Sequence, residues 1–117
     1  MSDERSLDLA RAVDTYMSHY EVSQQELVVT RISMPLKQII KEPDSAKYRN
    51  FATTNSLLKP VCQNKKEQVE AFMLAIGFQK EKDTMFRYVA PGNVSELRMV
   101  VDLMKEKQAS GTIAKLL

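Results

Sequence analysis

Residues 64–89, NKKEQVEAFMLAIGFQKEKDTMFRYV, contain the change of pattern that is most informative about the fold of this chain. Apolar residues first recur every three or four positions, at Val69, Phe72, Met73 and Ile76, which is typical of one face of a helix. The stretch 84–89 is instead rich in aromatic and β-branched residues, which predicts a strand. The sequence therefore places a helix directly before a small β unit.

The boundaries of that helix and its β unit carry their own signals. Asn64 can cap the helix, with Glu67 at its third position, and Gly77 can end it in a left-handed conformation. Residues 78–80 are the expected partner strand, joined to 84–89 through the charged turn 81–83. We therefore expect a short antiparallel hairpin after the helix.

A turn at 90–93 separates this β unit from a last helix. Asn93 is the expected cap of that helix, and Gly111 marks its latest expected end. The predicted apolar face consists of Val94, Leu97, Val100, Val101 and Met104.

Two helices are expected upstream. Residues 2–20 present one apolar stripe, formed by Leu7, Ala10, Val13, Met17 and Tyr20. Ser23 and Glu26 have the spacing of a capping box at the start of a second helix, which continues to Lys41. The predicted stripe of that helix is Leu27, Val28, Ile32, Leu36, Ile39 and Ile40. Pro35 predicts a kink or a break near Ile32, because proline lacks an amide hydrogen.

The segment between these helices and residue 64 is less regular. Pro43 predicts a short third helix that ends near Asn50. Residues 51–58 favour a turn, with a stub of helix after Thr54 or Asn55 that Pro60 ends. We expect a mainly helical α+β domain with a small antiparallel sheet, divided into an N-terminal helical extension (1–22), the domain itself (23–110) and a C-terminal tail (111–117).

The composition is that of an ordinary globular domain. The chain has 117 residues, of which 44% are hydrophobic and 27% charged, with a formal net charge of +2. Its acidic, polar N-terminus does not resemble a signal peptide, and the chain contains one cysteine, so we expect a cytoplasmic or nuclear protein.

The middle third is locally basic, which suits an acidic partner if those residues share a face; a solvated surface is the alternative. The basic residues are Lys47, Arg49, Lys59, Lys65, Lys66, Lys80, Lys82 and Arg87.

The residue pattern offers no catalytic constellation. His19 and Cys62 could act as base and nucleophile, but nothing in their spacing brings them together. The three glycines are isolated, which excludes the common phosphate-binding loops, and no cysteine–histidine cluster suits zinc. We therefore expect a binding module without enzymatic activity, metal or cofactor.

The order of motifs from Pro43 onward resembles that of the PUB (or PUG) domain family, found in peptide:N-glycanase and UBX-domain adaptors. The resemblance rests on a short helix ending in Lys47-Tyr48-Arg49, then Phe51 and Asn55, then a helix ending in Gly77-Phe78. It covers about residues 32–105. The segment 70–80, EAFMLAIGFQK, is most similar to the UBX-adaptor members.

This resemblance implies both a fold and a function. PUB domains capture the acidic C-terminal tail of the AAA ATPase valosin-containing protein, which ends in a leucine-tyrosine type of motif, or similar tyrosine-bearing peptides. The implied setting is the ubiquitin–proteasome or ER-associated degradation pathway, without membrane insertion. By matched position, the implied peptide-binding residues are Lys47, Tyr48, Asn55, Gly77 and Phe78.

The chain also departs from the family pattern. Ala52 stands where family members usually carry a basic residue, Thr54 where a small residue is usual, and Leu58 where phenylalanine is usual. One residue is inserted between Asn55 and Gly77. Loss of the cation at position 52 would weaken binding to an acidic tail, or shift the preference to another peptide, unless Lys59, Lys65 or Lys66 compensates.

Other interpretations use the same residues. Tyr48 and Phe78 could belong to the core, Asn55 could cap a helix and Gly77 could end one. The domain could keep this fold as a scaffold or dimerisation element with a degenerate pocket. The central basic residues could instead bind nucleic acid, although no base-reading helix or aromatic platform is evident.

Overall fold

The computed structural model of the chain describes residues 3–90 and 94–116, with side chains described as far as residue 111. In chain order the elements are α1 (Asp3–Met17), α2 (Val22–Lys41), a 3₁₀ helix (Ala46–Arg49), β1 (Asn50–Ala52), α3 (Lys59–Cys62), α4 (Lys66–Ala75), β2 (Phe78–Lys82), β3 (Met85–Tyr88) and α5 (Ser95–Leu116). These elements confirm the predicted α+β class, mainly helical with a small antiparallel sheet. In the described part of the chain, no helix is both long and apolar enough to cross a membrane.

Helix α1 buries part of its predicted stripe: Val13 and Met17 are buried as predicted, and so is Tyr20 just after the helix. Leu7, expected in the stripe, is 55% exposed, whereas Leu9 and Tyr16 are fully buried. Helices α4 and α5 cover α1, and the Tyr16 ring stacks on that of Phe72 with centroids 4.3 Å apart. Because α1 has apolar residues on more than one face, its partners select the face that is buried.

Helix α2 is longer and more continuous than expected. It begins at Val22, where the side chain of Gln24 accepts a hydrogen bond from the Glu21 amide at 3.3 Å, so the predicted start at Ser23 and Glu26 was wrong. Of the predicted kink or break near Ile32, the break does not occur, because the helix continues through Pro35. Its buried face packs on α5, and this packing outweighs the lost amide hydrogen bond.

The segment after α2 differs from the sequence prediction in its details. The short helix begins at Ala46 rather than at Pro43, and a helical turn begins at Lys59, so Pro60 lies in the first turn of α3 instead of ending a helix. Asn64 adopts a left-handed conformation (φ 64°) and does not cap α4, which begins after Lys65. The predicted buried stripe of α4, Val69, Phe72, Met73 and Ile76, is confirmed.

The sheet contains the predicted hairpin and one strand that the sequence did not indicate. Strands β2 and β3 pair antiparallel, with Phe78 opposite Tyr88 and an irregularity between Lys80 and Lys82. Strand β1 pairs with the other side of β3, giving the order β1-β3-β2. Residues 50–52 were missed because three residues are too few to show alternation, and only Phe51 is fully buried.

Helix α5 closes the core and continues past its predicted end. Leu97, Val100, Val101 and Met104 are buried as predicted. The helix continues through Gly111 to Leu116, so the expected end at Gly111 was wrong. A single glycine costs a helix only about 1 kcal/mol, which packing along α2 can offset. The predicted cap Asn93 and most of the predicted turn at 90–93, namely residues 91–93, lie outside the described residues.

Candidate functional site

Two of the five residues implied by the resemblance lie at the buried edge of the sheet. Phe78 is 4% exposed, and its ring packs against Phe51 and Tyr88 with centroid distances of 6.1 and 5.2 Å. Gly77 has a φ of +111°, and its carbonyl accepts a hydrogen bond from the Val89 amide at 3.1 Å. In this arrangement Phe78 is a core residue and offers no free face to a peptide.

Lys47 and Tyr48 belong to the 3₁₀ helix. Tyr48 is half-buried against the core, and the exposed Lys47 places its Nζ 5.7 Å from the centre of the Tyr48 ring. The neighbouring Arg49 holds this segment to the sheet, because its guanidinium donates to the carbonyls of Pro43 (2.7 Å) and Tyr88 (3.2 Å). The KYR motif therefore anchors the start of β1.

Asn55 is exposed in the turn between β1 and α3. Its Oδ1 accepts a hydrogen bond from the Leu57 amide at 2.9 Å, and its main-chain carbonyl accepts from the amides of Leu58 and Lys59. The side-chain amide nitrogen makes no hydrogen bond to another described residue. Asn55 thus shapes its turn while keeping two N–H donors available to a ligand.

An open cleft of about 370 Å³ lies between α2 and this turn; we name it the Asn55 cleft. Its walls consist of Arg31, Met34, Pro35, Lys37 and Gln38 from α2, and Asn55, Leu57 and Leu58 from the turn. Met34 and Leu57 are each 45% exposed, so both can contact a ligand. Among the described residues, Asn55 is the one member of the implied set of five that lines this cleft.

The charge of the Asn55 cleft is positive. Arg31 and Lys37 line it, and its described lining includes no aspartate or glutamate. Arg31 donates from Nη1 to the Leu57 carbonyl at 3.1 Å, and neither cation forms an ion pair with a described residue. By contrast, Lys66 and Lys80 lie 2.8 Å from Asp83 and Glu70, and Arg87 lies 2.6 Å from Glu81. The predicted central basic cluster is thus partly neutralised, whereas the Asn55 cleft is not.

A second cleft of about 370 Å³ borders the N-terminal part of α2; we name it the Tyr20 cleft. Tyr20 donates to the Val61 carbonyl at 2.8 Å, so the 2.9 Å contact between the Tyr16 and Tyr20 hydroxyls has Tyr16 as its donor. Burial raises the pKa of Tyr20 to about 12 and that of Tyr16 well above its usual value. Lys65 lines this cleft, with its Nζ 5.6 Å from the centre of the Tyr20 ring.

A third cleft, of about 200 Å³, contains Cys62. Burial raises the pKa of the Cys62 thiol to about 11, which keeps it protonated and weakly nucleophilic at neutral pH. His19 is exposed in the turn after α1. Within residues 3–90 and 94–111, no group of three or more histidine, cysteine or acidic side chains is arranged to hold a metal ion.

Several residues of the Asn55 cleft were not identified from the sequence. Arg31, Met34 and Lys37 project from the face of α2 opposite to its buried stripe, so a helical pattern alone assigns them to solvent. Met34 and Leu57 are apolar residues that stay half-exposed, and such exposure can indicate a binding surface. It can be recognised only once the fold is known.

Comparison with known proteins did not assign the chain to a family. No protein-family model matches it, and a search of curated proteins finds no significant match.

Proposed function

We propose that this protein is a PUB-like peptide-binding module that captures an acidic, aromatic C-terminal tail in the Asn55 cleft. The tail of valosin-containing protein, or a similar tyrosine-bearing peptide, is the ligand class that the sequence resemblance implies. The observation that carries the proposal is the Asn55 cleft itself, in which exposed apolar groups, unpaired cations and a free amide donor converge. The proposed setting is the cytoplasm or nucleus, in protein-degradation pathways.

Each part of the cleft suits one part of such a ligand. Met34 and Leu57 can cover an aromatic or leucine side chain, and methionine adapts its shape to the group it contacts. The Asn55 amide can donate to a peptide carbonyl. Arg31 and Lys37 can attract a terminal carboxylate and preceding acidic residues, supplying the positive charge that Ala52 lacks.

The first experiment measures binding of an acidic ten-residue peptide ending in Leu-Tyr to isotope-labelled protein by NMR. We expect the largest shift changes at Arg31, Met34, Asn55 and Leu57. Amidation of the peptide's C-terminus should weaken binding about tenfold, because it removes the carboxylate that the cations attract.

Asn55→Asp separates the two roles of Asn55. The aspartate keeps an oxygen for the Leu57 amide, so the turn persists, but it loses the N–H donors and repels an acidic ligand. We expect at least tenfold weaker binding with a free energy of unfolding close to that of the natural protein. Asn50→Asp makes the same charge change on an exposed residue of β1 and serves as the control.

Other outcomes would reject the proposal. If the peptide does not bind at low salt, the scaffold or dimerisation interpretation stands instead. If Asn50→Asp weakens binding as much as Asn55→Asp, binding reflects net charge and not the cleft. Binding of random oligonucleotides with a steep salt dependence would favour the nucleic-acid alternative.

A further inference from the structure

The Asn55 cleft and the Tyr20 cleft lie along the same face of α2. The Tyr20 cleft is lined on α2 by residues that include Gln24 and Leu27, and the Asn55 cleft by residues that include Arg31, Met34 and Gln38. These positions are spaced by three and four residues and so form one helical stripe. The opposite wall follows the chain in order, from residues 55–58 beside the Asn55 cleft to residues 60–65 beside the Tyr20 cleft.

The combined surface, which we name the α2 groove, is long enough for a peptide segment. At a rise of about 1.5 Å per residue, Gln24 and Gln38 are about 21 Å apart along the axis of α2. An extended peptide advances about 3.3 Å per residue, so about six residues would span this length. The hydrogen bond from Arg31 to the Leu57 carbonyl joins the two walls of the Asn55 cleft, and it leaves other guanidinium N–H groups available.

Exposed apolar residues and positive charge both concentrate along the α2 groove. Half of the six large hydrophobic side chains that are exposed in the described structure lie there: Leu27 (44%), Met34 (45%) and Leu57 (45%). The charged residues in its described lining are Arg31, Lys37 and Lys65, and all three are basic. This combination complements a peptide in which acidic and apolar residues are interspersed.

We propose that the α2 groove binds about six residues of an acidic peptide, with the C-terminal residues in the Asn55 cleft and the preceding residues in the Tyr20 cleft. Leu27 contacts an apolar residue of this upstream segment, and Lys65 pairs with an acidic one. Leu27 and Lys65 therefore make the groove selective for the upstream residues of a tail, in addition to its last two residues. This inference rests on the proposed function and extends it to the upstream part of the ligand.

The test compares three peptides by calorimetry or fluorescence anisotropy. The short peptide is acetyl-Asp-Leu-Tyr, and the long peptide adds three upstream residues that alternate glutamate and leucine, which gives about the six residues that the groove can hold. A third peptide of the long length carries glycine and serine at those upstream positions. We expect the long peptide to bind about tenfold more tightly than either of the other two.

Two protein variants and two matched controls locate the upstream contacts. Leu27→Ala and Lys65→Gln should each weaken binding of the long peptide about three- to fivefold and change that of the short peptide less than twofold. Leu74→Ala on α4 and Lys105→Gln on α5 make the same changes at exposed residues outside the groove and should leave both affinities unchanged.

The results distinguish this inference from the proposed function. If the short peptide binds and the glutamate–leucine extension adds no affinity, the α2 groove is overturned while the Asn55 cleft stands. An equal effect of Leu27→Ala and Leu74→Ala on the long peptide would overturn it as well. If none of the peptides binds, the proposed function fails and this inference fails with it.

Discussion

At the scale of the residue, Gly77 shows how a position implied for binding can have a structural role. Its φ of +111° is a conformation that residues with a side chain rarely adopt. A Cβ atom at this position would lie 2.9 Å from Cε1 of Tyr88 and 3.2 Å from Cβ of Ala90. Glycine is therefore required where α4 turns into β2, with or without a ligand.

We expect Gly77→Ala to lower the free energy of unfolding by about 2 kcal/mol or more. Alanine is strained at this positive φ, and its Cβ would also collide with the Tyr88 ring. Urea denaturation measures the change. Gly111→Ala is the control, since its new Cβ would lie 3.1 Å from the end of the flexible Gln25 side chain and at ordinary contact distance from Val22, within a helix that favours alanine. An equal loss of unfolding free energy in the two variants would mean that the backbone conformation at position 77 does not require glycine.

At the scale of the element, α2 has two roles: it packs in the core and it forms one wall of the proposed binding surface. One face carries Ile32, Leu36 and Ile39 into the core, and the other lines both clefts. Pro35 lies within this helix and cannot donate the amide hydrogen bond that would reach the carbonyl of Arg31. The helix nevertheless continues, because its buried face packs along α5.

Pro35→Ala should raise the free energy of unfolding by about 1–3 kcal/mol, because alanine restores an amide donor and removes the steric conflict of an interior proline. Chemical denaturation measures this change. The comparison variant is Lys37→Ala, an exposed position of the same helix where we expect a change within about 0.5 kcal/mol. A loss of stability in Pro35→Ala would show instead that the proline stabilises the protein by restricting its unfolded chain.

At the scale of the whole molecule, α1 shares one core with the rest of the described chain. Leu9, Val13 and Met17 belong to the same buried cluster as residues of α4, the sheet and α5. The hydroxyl chain from Tyr16 through Tyr20 to the Val61 carbonyl joins the end of α1 to α3. Removing contacts in α1 is therefore expected to destabilise the whole molecule rather than one end of it.

Leu9→Ala should lower the free energy of unfolding by about 2–5 kcal/mol, the usual cost of truncating a fully buried leucine. Leu7→Ala, two residues away and 55% exposed, should change it by about 0.5 kcal/mol or less. Far-ultraviolet circular dichroism and tyrosine fluorescence should report one coincident transition in each protein. Separate transitions, or a tolerated Leu9→Ala, would indicate that α1 folds independently of the rest.

Local sequence patterns were sufficient to predict the α+β class, the β2–β3 hairpin, and the buried faces of α4 and α5. These features depend on local periodicity and on turn residues that act over a few positions. Tertiary packing was needed to bury Leu9 and Tyr16 of α1 instead of Leu7, to carry α2 through Pro35, and to pair β1 with β3. It also separated Asn55 from the buried Phe78 and placed Met34 and Lys37 opposite Asn55. The physical reason is that these outcomes depend on which surfaces meet, and residues distant in the chain supply those surfaces.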